Sequence, residues 1–197
     1  MRFSIIIPFH NAADRMRIAL DSVKKQTFTD YELICVCDAC EDNTVEIARE
    51  YTDNVLEVNF KNDGATRSAG LNIAKGEYVL FLDDDDYWMH EYVLQQIHDK
   101  LCESSSPDIL CFSFIFRGWK YATPTGNQGR HWIAVWNKCW KRSAIGDTRF
   151  PALKHGDSYF HRDMFAKHLR IVDWDMPMYY YNYMRPGSLS WKYAGKE

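Results

Sequence analysis

Apolar runs and amphipathic stretches alternate through the first hundred residues. Residues 4–8, 31–37, 55–58 and 78–82 form short, nearly continuous apolar runs, the pattern of strands covered on both faces. Residues 12–26 follow the first run with Met16, Ala19, Leu20 and Val23 at helical spacing. Residues 44–51, 66–74 and 89–101 read as helices after the second, third and fourth runs, with Asn43 and Glu46 as a capping box for the first of these. Strands alternating with helices require right-handed crossovers, hence an α/β fold: a mixed, mostly parallel Rossmann-like sheet with helices on both faces.

After residue 102 the pattern changes. Residues 109–116 read as a strand, 123–130 as a polar loop, 157–169 as a helix and 178–184 as an aromatic strand. The stretch 132–141 is rich in Trp but alternates poorly. With no repeat, low-complexity tract or linker between them, the halves 1–102 and 103–197 are expected to share one sheet.

Composition excludes several classes. With 46% hydrophobic residues in 197, the chain can bury a core and is not a disordered segment. Its net charge of −3 leaves no overall basic field for nucleic acid or anionic lipid. No run reaches the ~18–20 apolar residues that span a bilayer. The opening run is too short for a signal peptide and is broken by Pro8, His10 and Asn11, so the expected location is cytoplasmic, with peripheral membrane attachment left open. Cys37 and Cys40 form a CxxC, but no second pair completes a zinc site, and they read as reduced thiols in a tight loop.

Ligands of open α/β sheets bind beyond the carboxyl ends of the strands. Those positions hold Phe9-His10-Asn11, then Asp38, then Asn62-Asp63-Gly64 leading to Arg67, then Asp83-Asp84-Asp85-Asp86. Four carboxylates at the mouth of a buried strand repel one another unless a cation is present. A hard divalent ion, Mn²⁺ or Mg²⁺, held by one or two carboxylates and substrate phosphates, relieves that cost. Arg67, near a helix start, suits a phosphate or a nucleobase. The Gly64 to Gly70 spacing lacks the Gly-Lys-Ser/Thr ending of a phosphate loop.

These residues carry a resemblance. Residues 4–11 (SIIIPFHN), 37–44 (CDACEDNT), 64–72 (GATRSAGLN) and 76–88 (GEYVLFLDDDDYW) are similar, in order and spacing, to segments of the family 2 glycosyltransferases of the GT-A fold. Residues 26–33 resemble the approach to the family's second strand. Trp136-Asn137-Lys138, residues 150–160 and residues 179–188 continue the likeness more loosely.

The resemblance implies a nucleotide-sugar-binding half, 1–102, and an acceptor-side half, 103–197. It implies that Pro8, Phe9, His10 and Asn11 line the nucleotide pocket, that Asp38 accepts a hydrogen bond from the base, that Arg67 supports the nucleotide and that Asp84 lies near the ribose. Asp83 and Asp85 would form the Asp-x-Asp metal pair, Asp85 foremost. Asp157 would be the catalytic base of an inverting single displacement from a nucleoside-diphosphate sugar, UDP-sugar favoured. The acceptor is left open, with a saccharide or glycolipid favoured and protein or nucleic acid allowed. Gly156 stands where the family commonly has Glu, which leaves His155 and His161 as alternate bases or metal ligands. Cys37, Ala39-Cys40 and Ser68 depart from frequent family residues without removing a needed charge. Two rival readings are an aspartate-based phosphotransferase, which needs a Lys at a later strand end, and a nucleotide-sugar-binding relic without turnover.

Overall fold

The computed structural model describes residues 1–118, 120–126 and 129–183. The elements run β1 (Phe3–Phe9), α1 (Arg17–Lys24), β2 (Tyr31–Asp38), α2 (Thr44–Arg49), β3 (Val55–Val58), α3 (Asp63–Ile73), β4 (Tyr78–Phe81), β5 (Tyr87–Trp88) and α4 (Val93–Glu103). The second half adds β6 (Ile109–Phe116), β7 (Lys120–Ala122), β8 (Lys138–Lys141), α5 (Arg142–Ile145), α6 (Gly156–Phe165) and β9 (Ile171–Tyr181). All strands join one nine-stranded sheet in the order β3-β2-β1-β4-β8-β6-β9-β5, with β7 paired to β6. β1 pairs in parallel with both β2 and β4, and β6 with β9, while β8 inserts antiparallel between β4 and β6.

Alternation along β1 explains the two helical layers. Ile5 and Ile7 face one side, where Leu20 and Val23 of α1 and Leu94 and Ile97 of α4 cover them. Ile6 faces the other side, against Leu71 of α3, with Phe160 and Met164 of α6 in the same cluster. Each such fully buried aliphatic chain contributes about 1.5–3 kcal/mol of transfer free energy. Gly70 lets α3 lie on the sheet, because a Cβ there would stand 2.6 Å from Ile6 Cγ2.

Several boundaries differ from the sequence reading. α1 starts only at Arg17, because Asn11 takes a positive φ of 43° and residues 13–16 form turns. The capping box at α2 is absent: Asn43 makes no capping bond, and Asp42 Oδ1 instead accepts the Thr44 amide at 3.1 Å. α3 begins earlier than residue 66, at Asp63, capped by the Asn62 side chain on the Ala65 amide at 2.9 Å. β9 begins at Ile171, well before residue 178, and crosses a bulge near Pro177. Met184 and the Arg185 to Ser188 turn lie outside the described residues. Among the described residues, no helix is long and apolar enough to cross a membrane.

Candidate active site

The strand-end edge gathers the acidic run between two arginines. Arg67, on the first turns of α3 and nearly buried, donates from Nη2 to Asp83 Oδ1 at 2.6 Å. Its Nη1 lies 3.7 Å from Oδ1 of Asp157, on the first turn of α6. Arg15 donates to Asp84 Oδ2 at 2.7 Å, and to the carbonyls of Asn11 at 2.7 Å and His10 at 3.1 Å. It thereby ties the β1 exit loop to the acidic turn. Asp86 is fully buried, accepting the Tyr179 hydroxyl at 2.6 Å and the Asn182 amide at 2.7 Å. The same Tyr179 oxygen accepts the Asp83 amide at 3.2 Å, so one phenol fixes both ends of the run.

Burial dominates the protonation of these acids. It pushes Asp83 up to about 6, with Asp157 and Asp85 adding repulsion and Arg67 opposing. Asp84 is likewise pushed up to about 6 by burial, against the pull of Arg15. Asp86 is raised well above the carboxylate range by burial and by its acidic neighbours. The run is thus a stored electrostatic cost, and an all-oxygen, acidic donor set of this kind suits a hard divalent cation. Arg67 already engages one oxygen of Asp83, so an ion there would share that carboxylate with the guanidinium. No three of these carboxylates converge as a preformed cage. The group of three ligand atoms found within 4.8 Å of one another among the described residues is Cys111, His131 and Asp173, elsewhere in the fold. A site of one or two carboxylates completed by phosphate oxygens fits that arrangement.

Two glycines bring the helix starts together. A Cβ on Gly156 would stand 2.9 Å from the Pro151 carbonyl oxygen and 3.4 Å from Gly64 Cα, and one on Gly64 only 2.5 Å from the same carbonyl. The departure from Glu at position 156 therefore has a steric reason: a side chain there would wedge α6 away from α3. Asp157, the next residue, keeps 36% of its side chain exposed beside Arg67.

Three expected roles change. The Asp38 carboxylate accepts the amides of Phe60, Lys61 and Asn62 and the Thr66 hydroxyl at 2.6–2.9 Å. A carboxylate has about four acceptor sites, so Asp38 organises the β3–α3 loop rather than presenting its carboxylate to a base. Burial opposes its charge, but these bonds prevail and hold it below the usual carboxylate range. Phe9 is 2% exposed, its ring in the core, so it cannot line a pocket with its side chain. His161 stacks on Phe165 at 4.0 Å, and burial lowers it to about 4. It lies in the core layer beside Lys138 and His131, and serves as neither alternate base nor ligand at the acidic run.

Pro8 is partly exposed and His10 is exposed, its Nδ1 2.7 Å from the Asp38 carbonyl. Asn11 Oδ1 accepts the Glu41 amide at 2.8 Å, joining the β1 and β2 exit loops. A recess of about 290 Å³ lies beside the β2 and β3 ends on the α2 side, lined by Cys37, Cys40, Val45 and Val58 among others. Cys37 and Cys40 are both free thiols. Arg15 and Tyr179 are the site residues that sequence reasoning had not singled out.

Lys138, on a later strand, is not free to serve the phosphotransferase reading. Lys138 on β8 donates to the carbonyls of Trp132 and Ala134 and to Asn137 Oδ1, each within 2.8 Å. Arg67 and Arg15 pair with Asp83 and Asp84 of the acidic run.

The model of glycosyl transferase family 2 matches residues 4–178. The chain belongs to that family. It is 30% identical over 219 residues to the uncharacterized glycosyltransferase YibD of Escherichia coli K12, covering 96% of this chain and 63% of that protein. It is 41% identical over 104 residues to a poly(ribitol-phosphate) beta-glucosyltransferase of Bacillus spizizenii, covering 48% of this chain but 16% of the relative. The chain thus spans less than two-thirds of either relative. WfaP of Escherichia coli, a UDP-Glc:alpha-D-GlcNAc-diphosphoundecaprenol beta-1,3-glucosyltransferase, is 28% identical over 95% of this chain and 79% of its own length. Among solved structures, Staphylococcus aureus TarS residues 1–349 in complex with UDP-GlcNAc superposes with a TM-score of 0.80 at 24% identity, over 95% of this chain and 60% of that one. A Pyrobaculum calidifontis mannosyltransferase in complex with GDP-Man and Mn²⁺ gives 0.75 at 18% identity, over 97% of this chain and 59% of that one. The fold is GT-A: a mixed, mostly parallel sheet flanked by helices.

Proposed function

We propose that this chain transfers a sugar from a nucleoside-diphosphate sugar, a UDP-sugar by preference, to an acceptor hydroxyl in a divalent-metal-dependent, inverting reaction. The Arg67 bridge between Asp83 and Asp157 carries the reading, because it joins the donor-side acidic run to an accessible acid on the acceptor-side half. WfaP's UDP-Glc donor and the UDP-GlcNAc held by TarS support the choice of nucleotide. The Mn²⁺ in the mannosyltransferase supports the metal.

In this reading Pro8, His10 and Asn11 border the nucleotide, and Asp38 shapes the loop that follows it. Asp84, held by Arg15, lies on the ribose side. Asp85, with Asp83 beside it, would hold Mn²⁺ or Mg²⁺, which when bound offsets the negative charge of the departing diphosphate. Asp157 takes the proton of the acceptor hydroxyl as its oxygen bonds to the anomeric carbon, and the diphosphate leaves with the electron pair of the broken bond. Attack opposite the leaving group inverts the configuration. Arg67 positions Asp157 and keeps Asp83 ionised beside it. The acceptor is a saccharide or glycolipid hydroxyl in this reading.

The test is a panel of nucleotide sugars and saccharide acceptors with Mn²⁺, with NMR of the anomeric proton of any product. An inverted product and a loss of at least about 10²-fold in Asp157→Asn, with donor binding intact, are expected. A retained configuration would remove Asp157 from the role of base. Donor binding with no transfer to any acceptor would favour a binding relic.

A further inference from the structure

A second group of ligand side chains lies away from the acidic run, where β6, β9 and the loop before β8 meet. Cys111 on β6 is fully buried, His131 lies in that loop and is partly buried, and Asp173 on β9 is exposed. One ligand atom of each lies within 4.8 Å of the others. His131 Nε2 already stands 2.7 Å from Asp173 Oδ1. In a tetrahedral site with bonds of about 2.0–2.3 Å, ligand atoms stand about 3.3–3.8 Å apart, which this group reaches by small rotations.

We propose that Cys111, His131 and Asp173 form a binding site for a borderline transition-metal ion, Zn²⁺ in chemical class, separate from the donor site. The donor set argues for this class: one thiolate, one imidazole and one carboxylate suit Zn²⁺ or Co²⁺ and not the hard Mg²⁺ or Mn²⁺. The charges of thiolate and carboxylate balance a divalent ion, against the opposing charge of the buried Lys138 ammonium, which acts on both Cys111 and Asp173. Binding displaces the Cys111 proton to solvent and replaces the His131–Asp173 contact with two metal bonds, while water completes the fourth position. Access is from the Asp173 side, with Cys111 at the floor.

The surroundings are ordered for such a site. Cys111 and Asp173 are register partners in the parallel β6–β9 pair, so the sheet itself sets their spacing. The loop carrying His131 is held by the Lys138 ammonium on the Trp132 and Ala134 carbonyls. The His131 ring packs on Phe165 of α6 at 4.9 Å. An ion here would clamp the loop to β6, β9 and α6, the scaffold that carries Asp157.

Titration of chelator-treated protein with Co²⁺ tests this, because a cobalt–thiolate bond gives a charge-transfer absorption that carboxylate sites lack. One equivalent of Co²⁺ is expected to produce the band, and Zn²⁺ but not Mg²⁺ to abolish it. Cys111→Ser is expected to remove the band. His131→Gln, which spares the core, is expected to weaken binding by more than about 10-fold, since even losing a hydrogen-bond partner of a ligand costs that much. Cys40→Ser and Cys102→Ser are expected to retain it. No band in the wild type, or a band that survives both Cys111→Ser and His131→Gln, overturns the proposal.

Discussion

Nη1 of Arg67 lies 3.7 Å from Oδ1 of Asp157 while its Nη2 holds Asp83 at 2.6 Å. One nearly buried guanidinium therefore links the third strand–helix unit, the acidic run and the start of α6. Arg67→Ala strands Asp83, a quarter of which is in solvent. A loss of about 3 kcal/mol is expected, the low end for unpairing a buried charge because of that exposure. Arg67→Lys keeps the charge but cannot span both acids. It is expected to recover much of the stability while transfer stays depressed. Chemical denaturation and turnover, measured on the same samples, check both halves of this statement.

Stability and metal response should move oppositely with pH. Burial raises Asp83 and Asp84 to about 6 in the folded chain, above the unfolded value of 3.8. Their contribution to stability is present below that lower value and is lost as the pH rises through about 6. His161, lowered to about 4, acts in the other direction and loses its contribution as the pH falls. A divalent ion binds the ionised acids, so its benefit grows as they lose protons. The rise in Tm caused by Mn²⁺ is expected to be small near pH 5 and larger near pH 7. A rise that is independent of pH would mean that these carboxylates do not receive the ion.

The contact between Gly64 and Gly156 sets how closely α3 and α6 approach. Gly64→Ala would put a Cβ 2.5 Å from the Pro151 carbonyl, a backbone atom that cannot swing aside. It is expected to cost about 1–3 kcal/mol by overpacking, and more than Gly156→Ala, whose Cβ has 2.9 Å. Both are expected to lower transfer through the Arg67–Asp157 geometry. Thermal unfolding of the two variants ranks the costs directly.

β1, β2 and β4 were legible because they are buried on both faces and read as plain apolar runs, and β3, a half-exposed edge strand, because three of its four residues are apolar. β9 was half-hidden: Asp173, Trp174 and Asp175 alternate in and out of solvent, and Pro177 interrupts the pattern at a bulge. β8 was hidden because Lys138 is polar in sequence yet buried, its ammonium enclosed by carbonyls. The acidic run and Arg67 stood out because they follow strand ends. Arg15 and Tyr179 did not, since their partners Asp84 and Asp86 lie far along the chain and meet them only after folding. Asp38 shows the opposite failure: its place at a strand end suggested a ligand contact, and only the loop's amides reveal a structural carboxylate.

The central claim is that the acidic run receives a nucleoside diphosphate through a divalent ion on Asp85. Isothermal titration of UDP into the wild type and into Asp85→Ala, each with Mn²⁺ and with EDTA, tests it most directly. UDP is expected to bind the wild type with Mn²⁺, and to bind at least about 10-fold more weakly in EDTA or in Asp85→Ala, a difference of about 1.4 kcal/mol or more. Equal affinity with Mn²⁺ and EDTA, or an unaltered affinity in Asp85→Ala, would contradict it.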